Sequence, residues 1–250
     1  MRDSASEAGG WPGEALVFEI WGDYGCFRRF YTTRSPLTFP VPPRPTIAGI
    51  VGGILGVPKS DVAKVFDPER ARLAVAMVKP VKIAHFGLNW LETKGQVLSV
   101  GLVEARTQIN AEFLKQPRFR IYVMLRDQSR QRELSQMVRD HRSVYTPCLG
   151  ISELLADFAW LGDWSARPAG QSVVNVTSVL PVASVVWPME GQGVEFENRK
   201  RYDKKRVPRL MDENRVVLEW QDVLAETSGQ TIRAQVADGW QIGDDYVVWL

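Results

Sequence analysis

The sequence predicts an α+β protein: an RRM-like, ferredoxin-like domain carrying a protruding β-hairpin, followed by a small β-rich domain. Three observations predict it. Up to residue 168 the chain reads strand, helix, strand, strand, helix, with a further strand expected near Trp160 to Trp164, which is the order of a split βαβ module. Between Gly87 and Asn110 the apolar pattern weakens around Gly87, Asn89, Gly95 and Gly101, as in a hairpin that leaves the body of the fold. Beyond Pro168 the texture changes to short β-rich runs such as QSVVNVTSVLPVASVVW, RVVLEWQDV and DYVVWL, separated by Gly, Pro and charges. The expected domains are therefore 1–168 and 169–250.

The elements follow in order. ALVFEIW (15–21) has the residue types and the length of a strand, closed by Gly22, Asp23 and Gly25. Across 35–45, Pro36, Pro40, Pro42, Pro43 and Pro45 lock φ and hold their preceding residues extended, which predicts a stiff irregular loop. From Thr46 to Gly56 the glycines at 49, 52, 53 and 56 put small residues along one side of a helix able to lie close on a sheet, with Thr46 as its N-cap. A short helix is expected over 61–66. Residues 71–86 read as one long strand in which Pro80 implies an edge or a bulge. RFRIYVMLR (118–126) alternates Arg118, Arg120 and Tyr122 with Phe119, Ile121 and Val123, giving a half-buried strand with a basic outer side. Residues 131–138 form an amphipathic helix, and 150–158 a turn leading into another.

Composition narrows the classes. At 250 residues and 45% hydrophobic content the chain can bury a real core. Basic and acidic residues number 31 and 29, so affinity for a polyanion has to come from local clusters. The two cysteines, Cys26 and Cys148, match no metal spacing and are expected to be free thiols of a reducing compartment. The first fourteen residues lack the apolar core of a signal peptide, and the apolar segment 47–57 is too short for a bilayer, so a soluble, cytoplasmic protein without membrane contact is expected. The glycines near Lys59-Ser60 do not make a P-loop, because Val57 and Pro58 intervene between Gly56 and the lysine; no G-x-G-x-x-G is present either. No cofactor or metal is expected: His85 and His141 are the only histidines and form no i,i+4 pair, and the acidic residues show no paired-carboxylate motif.

The opening loop concentrates the chemistry. Tyr24, Phe27, Phe30 and Tyr31 alternate with Arg28, Arg29 and Arg34, the combination that stacks bases and neutralises phosphates. Core packing is the commoner fate of any single aromatic; the interleaving is what points to nucleic acid. A second basic run, Arg199, Lys200, Arg201, Lys204, Lys205, Arg206 and Arg209, reads equally as a solvated hairpin. A third, 118–142, is diluted by Asp127, Glu133 and Asp140. Metal-free RNA cleavage would need only a proton acceptor and a nearby cation, for which His85 with Tyr24 or Lys82 would serve.

The stretch GDYGCFRRFYTTRSPLTFPVPPRPTIAGIVGGILG (22–56) closely resembles the N-terminal signature of the CRISPR-associated Cas-five family, an aromatic strand followed by a TSPLTYP-PPRTTIYG type loop and a Gly-containing helix. QINAEFLKQPRFRIYV (108–123) and YTPCLGISELLAD (145–157) extend the resemblance. It implies an RRM-like domain with a hairpin "thumb" at 87–110, acting in a type I (Cascade) surveillance complex as the RNA-binding subunit that caps the crRNA 5′ handle. Its implied partners are the handle, the Cascade backbone and large subunits and, indirectly, target DNA. The implied contacts are Tyr24, Phe27, Arg28, Arg29, Tyr31, Arg34, Arg44 and Thr46 on the loop and helix N-terminus. Lys82, His85, Trp90, Lys94, Arg106 and Gln108 extend them along the hairpin. The resemblance covers about the first two thirds of the chain, so Arg199, Arg201, Lys204, Lys205 and Arg206 remain a candidate second patch on their own residue types alone. One branch of the family cleaves repeat RNA with a tyrosine and a neighbouring lysine and histidine. Neither His85 nor His141 directly follows a lysine, so the expectation is a non-catalytic subunit, with a metal-independent repeat endoribonuclease as the alternative.

Overall fold

Residues Ala15 to Ile20 are all buried, so strand β1 (Glu14–Trp21) is covered on both faces and organises the sheet around it. The computed structural model describes residues 10–29, 35–91, 106–187 and 193–250, with the backbone alone at 90, 91 and 106. After β1 come β2 (Tyr24–Gly25) and helix α1 (Arg44–Leu55), then a 3-10 turn at Lys59–Asp61 leading into α2 (Val62–Val65). Strands β3 (Ala71–Met77), β4 (Ile83–Leu91), β5 (Arg106–Lys115) and β6 (Arg118–Leu125) precede α3 (Gln128–Arg139). The remaining chain forms β7 (Asp157–Val176), β8 (Leu180–Pro181), β9 (Val194–Glu195), β10 (Tyr202–Met211), β11 (Val217–Glu226), β12 (Ile232–Ile242) and β13 (Asp245–Val247).

The principal sheet has the order β3-β6-β1-β7-β13-β12-β9. Its first four strands pair antiparallel with one another, whereas β13 pairs with β7 in parallel. Two smaller sheets, β10-β11-β8 and β2-β5-β4, complete the mixed, sheet-rich α+β architecture. One face of the principal sheet packs Leu16, Phe18, Ile20, Leu73, Val75 and Ile121 against Ile47, Ile50, Val51 and Ile54 of α1 and Leu134 and Val138 of α3. Each fully buried Leu, Ile or Phe contributes about 1.5–3 kcal/mol of transfer free energy, so this layer is the chief source of stability. The opposite face, with Ala15, Val17, Ala74, Tyr122 and Met124, is sealed by Trp240, Ile242 and Val247.

Several local expectations change. Helix α1 starts two residues earlier than predicted, with Pro43 at the N-cap and Pro45 in its first turn, so Thr46 is no cap; its N–H donates to the Pro43 carbonyl at 2.9 Å. It ends at Gly56, whose φ of 73° and position against Val144, 2.8 Å from a Cβ built there, suit glycine alone. The long strand predicted over 71–86 is two strands, because the chain turns out of the sheet at 78–82 around Pro80. Residues 150–156 form no helix: Cys148 bridges Leu155, and the Gly150 α-carbon lies so close to the Cys26 carbonyl that a Cβ would sit 1.9 Å from its oxygen. The predicted basic outer side of 118–126 is not a free surface, since Tyr122 is fully buried under the C-terminal strands. The boundary expected at 168/169 falls inside β7, whose first part pairs with β1 and whose second part pairs with β12. Cys26 and Cys148 are free thiols, and no described helix is long and apolar enough to cross a membrane.

Candidate nucleic-acid interface

The proline-rich loop is built as a small ladder rather than an open coil. Phe39 donates its N–H to the Phe27 carbonyl and Arg29 to that of Leu37, both at 2.8 Å, while Arg28 bridges Thr38. The Thr38 hydroxyl accepts the Phe27 N–H at 2.9 Å. This arm docks onto the hairpin strand β5: Glu112 donates its N–H to the Pro36 carbonyl at 2.8 Å, its carboxylate accepts the Thr38 N–H, and Tyr24 pairs with Lys115. The arm, the β4–β5 hairpin and their side chains therefore form one hydrogen-bonded unit.

Within that unit the predicted residues separate into those brought together and those withdrawn. Arg28 is exposed, and the Arg29 guanidinium is held at the base of the arm, donating to the Thr38 carbonyl at 2.9 Å with its carbon 5.9 Å from the Phe39 ring centre. Lys82, His85 and Gln108 are exposed on the hairpin, and His85 Nε2 lies 3.5 Å from Glu112 Oε1. Tyr24 meets Phe86 edge to face at 5.1 Å and is half-buried. Trp90 stands opposite Thr107, and Arg106 opposite Leu91, at the far end of the described ladder. Tyr31, Arg34 and Lys94 lie outside the described residues.

Two predicted contacts are corrected. Phe27 is 3% exposed and packs against Phe119, because the arm folds its ring inward onto the sheet. Arg44 is also 3% exposed: its Nη2 donates to the carbonyls of Phe66 and Ala71 at 2.7 and 2.9 Å, tying α1 to the start of β3. Burial first, and then the Arg209 charge, lower its pKa to about 10. The helix N-terminus offers fewer amides than expected, since Pro45 has none and Thr46 and Ile47 both donate to the Pro43 carbonyl.

A groove of about 700 Å³ opens beside this end of α1, walled by the arm, the 145–151 loop and the β10–β11 turn. Arg28, Lys59 and Arg215 are its exposed cations; Arg209 is held by Glu219 at 2.8 Å. The second basic run is partly neutralised across its hairpin. Lys204 pairs with Asp222 at 3.2 Å and Lys205 with Asp203, whereas Arg199, Arg201 and Arg206 are exposed. In the third, Arg118 and Arg120 are held by Glu19 and Arg139 by Asp163, whereas Arg126 is exposed and makes no ion pair among the described residues. Lys115 and Glu112, which join arm to hairpin, went unread in the sequence; a period-two alternation across QINAEFLK was the available signal.

Comparison with known proteins follows the same division. Residues 15–81, which hold β1, the arm, α1 and β3, match a family model described as CRISPR-associated protein (Cas_Cas5). No curated protein matches the sequence. Among solved structures the chain is similar to a CRISPR protein from Archaeoglobus fulgidus, at 11% identity and a TM-score of 0.58, covering 94% of this chain and 99% of that one. That likeness shows a shared fold. Weaker likeness extends to a chain of a CRISPR RNA-guided surveillance complex (10% identity, TM-score 0.46, 89% and 91% covered). A type III-B Cmr-beta complex bound to cognate target RNA and AMPPnP gives 10% identity, a TM-score of 0.49, and 87% and 86% covered. Neither of these two carries weight for function.

Proposed function

We propose that this chain, a member of the CRISPR-associated Cas5 family by its match over residues 15–81, is a non-catalytic CRISPR effector subunit that binds the 5′ handle of a guide RNA. The observation that carries the reading is the union of arm and hairpin, which gathers Arg28, Arg29, Lys82 and Lys115 along one hydrogen-bonded surface. Lys and Arg side chains so placed neutralise successive phosphates, and the half-buried Tyr24 and the groove beside α1 supply apolar surface for a splayed base. The strand order β3-β6-β1-β7, with α1 and α3 in the connections, supports the RRM-like description of the first four strands. In this reading the β4–β5 ladder is the thumb that reaches a neighbouring backbone subunit, and the large subunit and target DNA are met through the assembled complex.

The test is salt-dependent binding of a labelled handle RNA. Each lost single-strand phosphate contact lowers the log–log salt slope by about 0.7, so Arg28→Ala/Arg29→Ala is expected to reduce it by about 1.4. An unchanged slope removes the arm from the site. A second reading, metal-independent cleavage of repeat RNA, is favoured by one observation, the 3.5 Å contact that orients the His85 ring against Glu112. Incubation with repeat RNA in EDTA separates the two: binding without scission supports the subunit, while a discrete cut abolished by His85→Ala would make the protein a nuclease.

A further inference from the structure

At the other end of the principal sheet lies a cavity of about 600 Å³, between α2, the start of β3 and the β6–α3 junction. Lys64, Arg70, Arg126 and Arg130 line it, against the carboxylates of Asp61 and Asp127. Asp127 is already engaged, since its carboxylate caps α3 by accepting the N–H groups of Ser129 and Arg130 and lies 3.5 Å from the Arg130 guanidinium. Among the described residues Lys64, Arg70 and Arg126 make no ion pair, and all three are exposed. Elsewhere on this chain arginines are repeatedly matched to carboxylates, as Arg118, Arg120, Arg139, Arg209 and Arg233 are. Lys59, Arg199, Arg206 and Arg215 are likewise exposed with no ion pair among the described residues, so what sets this cavity apart is the convergence of Lys64, Arg70 and Arg126 from three separate segments on one space.

We infer that this cavity is a second polyanion site, which takes the phosphodiester backbone of a nucleic acid away from the arm. The two sites sit toward opposite ends of β6: Phe27 of the arm packs on Phe119, the strand's second residue, and the cavity is lined by Leu125 and Arg126, at its end. An eight-residue strand spans roughly 25 Å, too far for one phosphate to bridge. The lining favours phosphate over an acidic peptide. Peptide docking draws its energy from apolar anchors seated in pockets, and the apolar lining here is Val65 and Leu125, of which Leu125 is 2% exposed. Phosphate binding needs only converging Lys and Arg. Arg126 is also braced, its guanidinium carbon 4.9 Å from the Trp11 ring centre, so little rotamer freedom is lost when it meets an anion.

The probes are a mixed-sequence 20-base-pair DNA duplex and a single-stranded RNA without the handle, each titrated with the full chain across a salt series. For Lys64→Ala/Arg70→Ala/Arg126→Ala the duplex slope is expected to fall by about 2.7, and affinity at low salt by about tenfold or more. Arg28→Ala/Arg29→Ala should leave that cavity-dependent loss intact, which keeps this inference separable from the handle reading. The probe that loses more identifies the nucleic acid. Should Arg126→Ala lower the melting temperature, Lys64→Glu/Arg70→Glu carries the test, because both side chains are exposed and unpaired. Unchanged slopes for both probes overturn the inference. So does displacement of the duplex by poly-glutamate at equal charge, since the cavity would then be an acidic-protein site.

Discussion

Arg44 shows how far a residue's role depends on its neighbours. In the sequence it stands between prolines at a helix start, where a cation beside free amides suits a phosphate. In the fold its guanidinium satisfies two carbonyls beneath α1, its Nε has no partner, and no carboxylate lies within ion-pairing distance among the described residues. Arg44→Ala is therefore expected to destabilise the protein by about 2–4 kcal/mol, from a cavity and two orphaned carbonyls, without changing the salt slope for handle RNA. Urea denaturation paired with the binding titration checks both halves; a stable variant with a weakened slope would return Arg44 to the interface. Arg28 is the contrasting residue. It is exposed while bridging Thr38 in the arm, a placement that the interleaving of arginines with aromatics did not specify.

Elements were legible where a local signal sufficed. The apolar run of β1, the small-residue helix ending at Gly56 and the amphipathic helix over 131–138 were read from short-range chemistry, while the Asp127 cap that starts α3 three residues earlier was not. The 150–158 helix was misread because its backbone groups close a local turn, Leu154 donating to the Ile151 carbonyl and accepting from Leu149 while Ala156 donates to the Pro147 carbonyl, and because Gly150 is packed against the remote Cys26 carbonyl. The β11–β12 turn is another element organised by one side chain. The Glu226 carboxylate accepts N–H groups from Arg201, Ser228 and Gln230 at 2.6–3.0 Å. Burial opposes its ionisation, but those hydrogen bonds prevail and hold its pKa below the ordinary value. The native state thus binds this proton more weakly than the unfolded chain, so the stabilisation is present above the unfolded pKa, about 4.3, and is lost as pH falls through the folded one. Glu226→Gln is expected to lower stability at pH 7 and to flatten the fall of stability as pH drops below the unfolded carboxyl pKa of about 4.3. Chemical denaturation at a series of pH values measures it; parallel wild-type and mutant curves would exclude this role.

For the whole molecule the decisive feature is the continuity of β7, which carries the principal sheet from β1 across to β12. A partly buried polar cluster fastens the same joint. Asp245 accepts from the Tyr122 hydroxyl at 2.7 Å and from Arg120 at 3.0 Å, and Arg120 also meets Glu19. Burial, followed by the Asp245 charge, raises the Tyr122 phenol above its ordinary range. The chain is expected to unfold in one cooperative transition, with Asp245→Asn costing about 1–3 kcal/mol while preserving that single transition. Circular dichroism and tryptophan fluorescence followed together test it; separated midpoints would show two independently stable halves.

The sequence by itself determined β1, the helices that became α1 and α3, the signature over 22–56 and the arginines of the arm. These depend on residue type, spacing and backbone chemistry over short distances. Only the tertiary structure decided which cations face solvent and which serve the core, that β7 continues through the expected boundary, and that three cations without an ion pair among the described residues meet at the far end of β6. Burial and charge pairing are set by residues distant in sequence, and a chain read in order carries no record of which of them will meet.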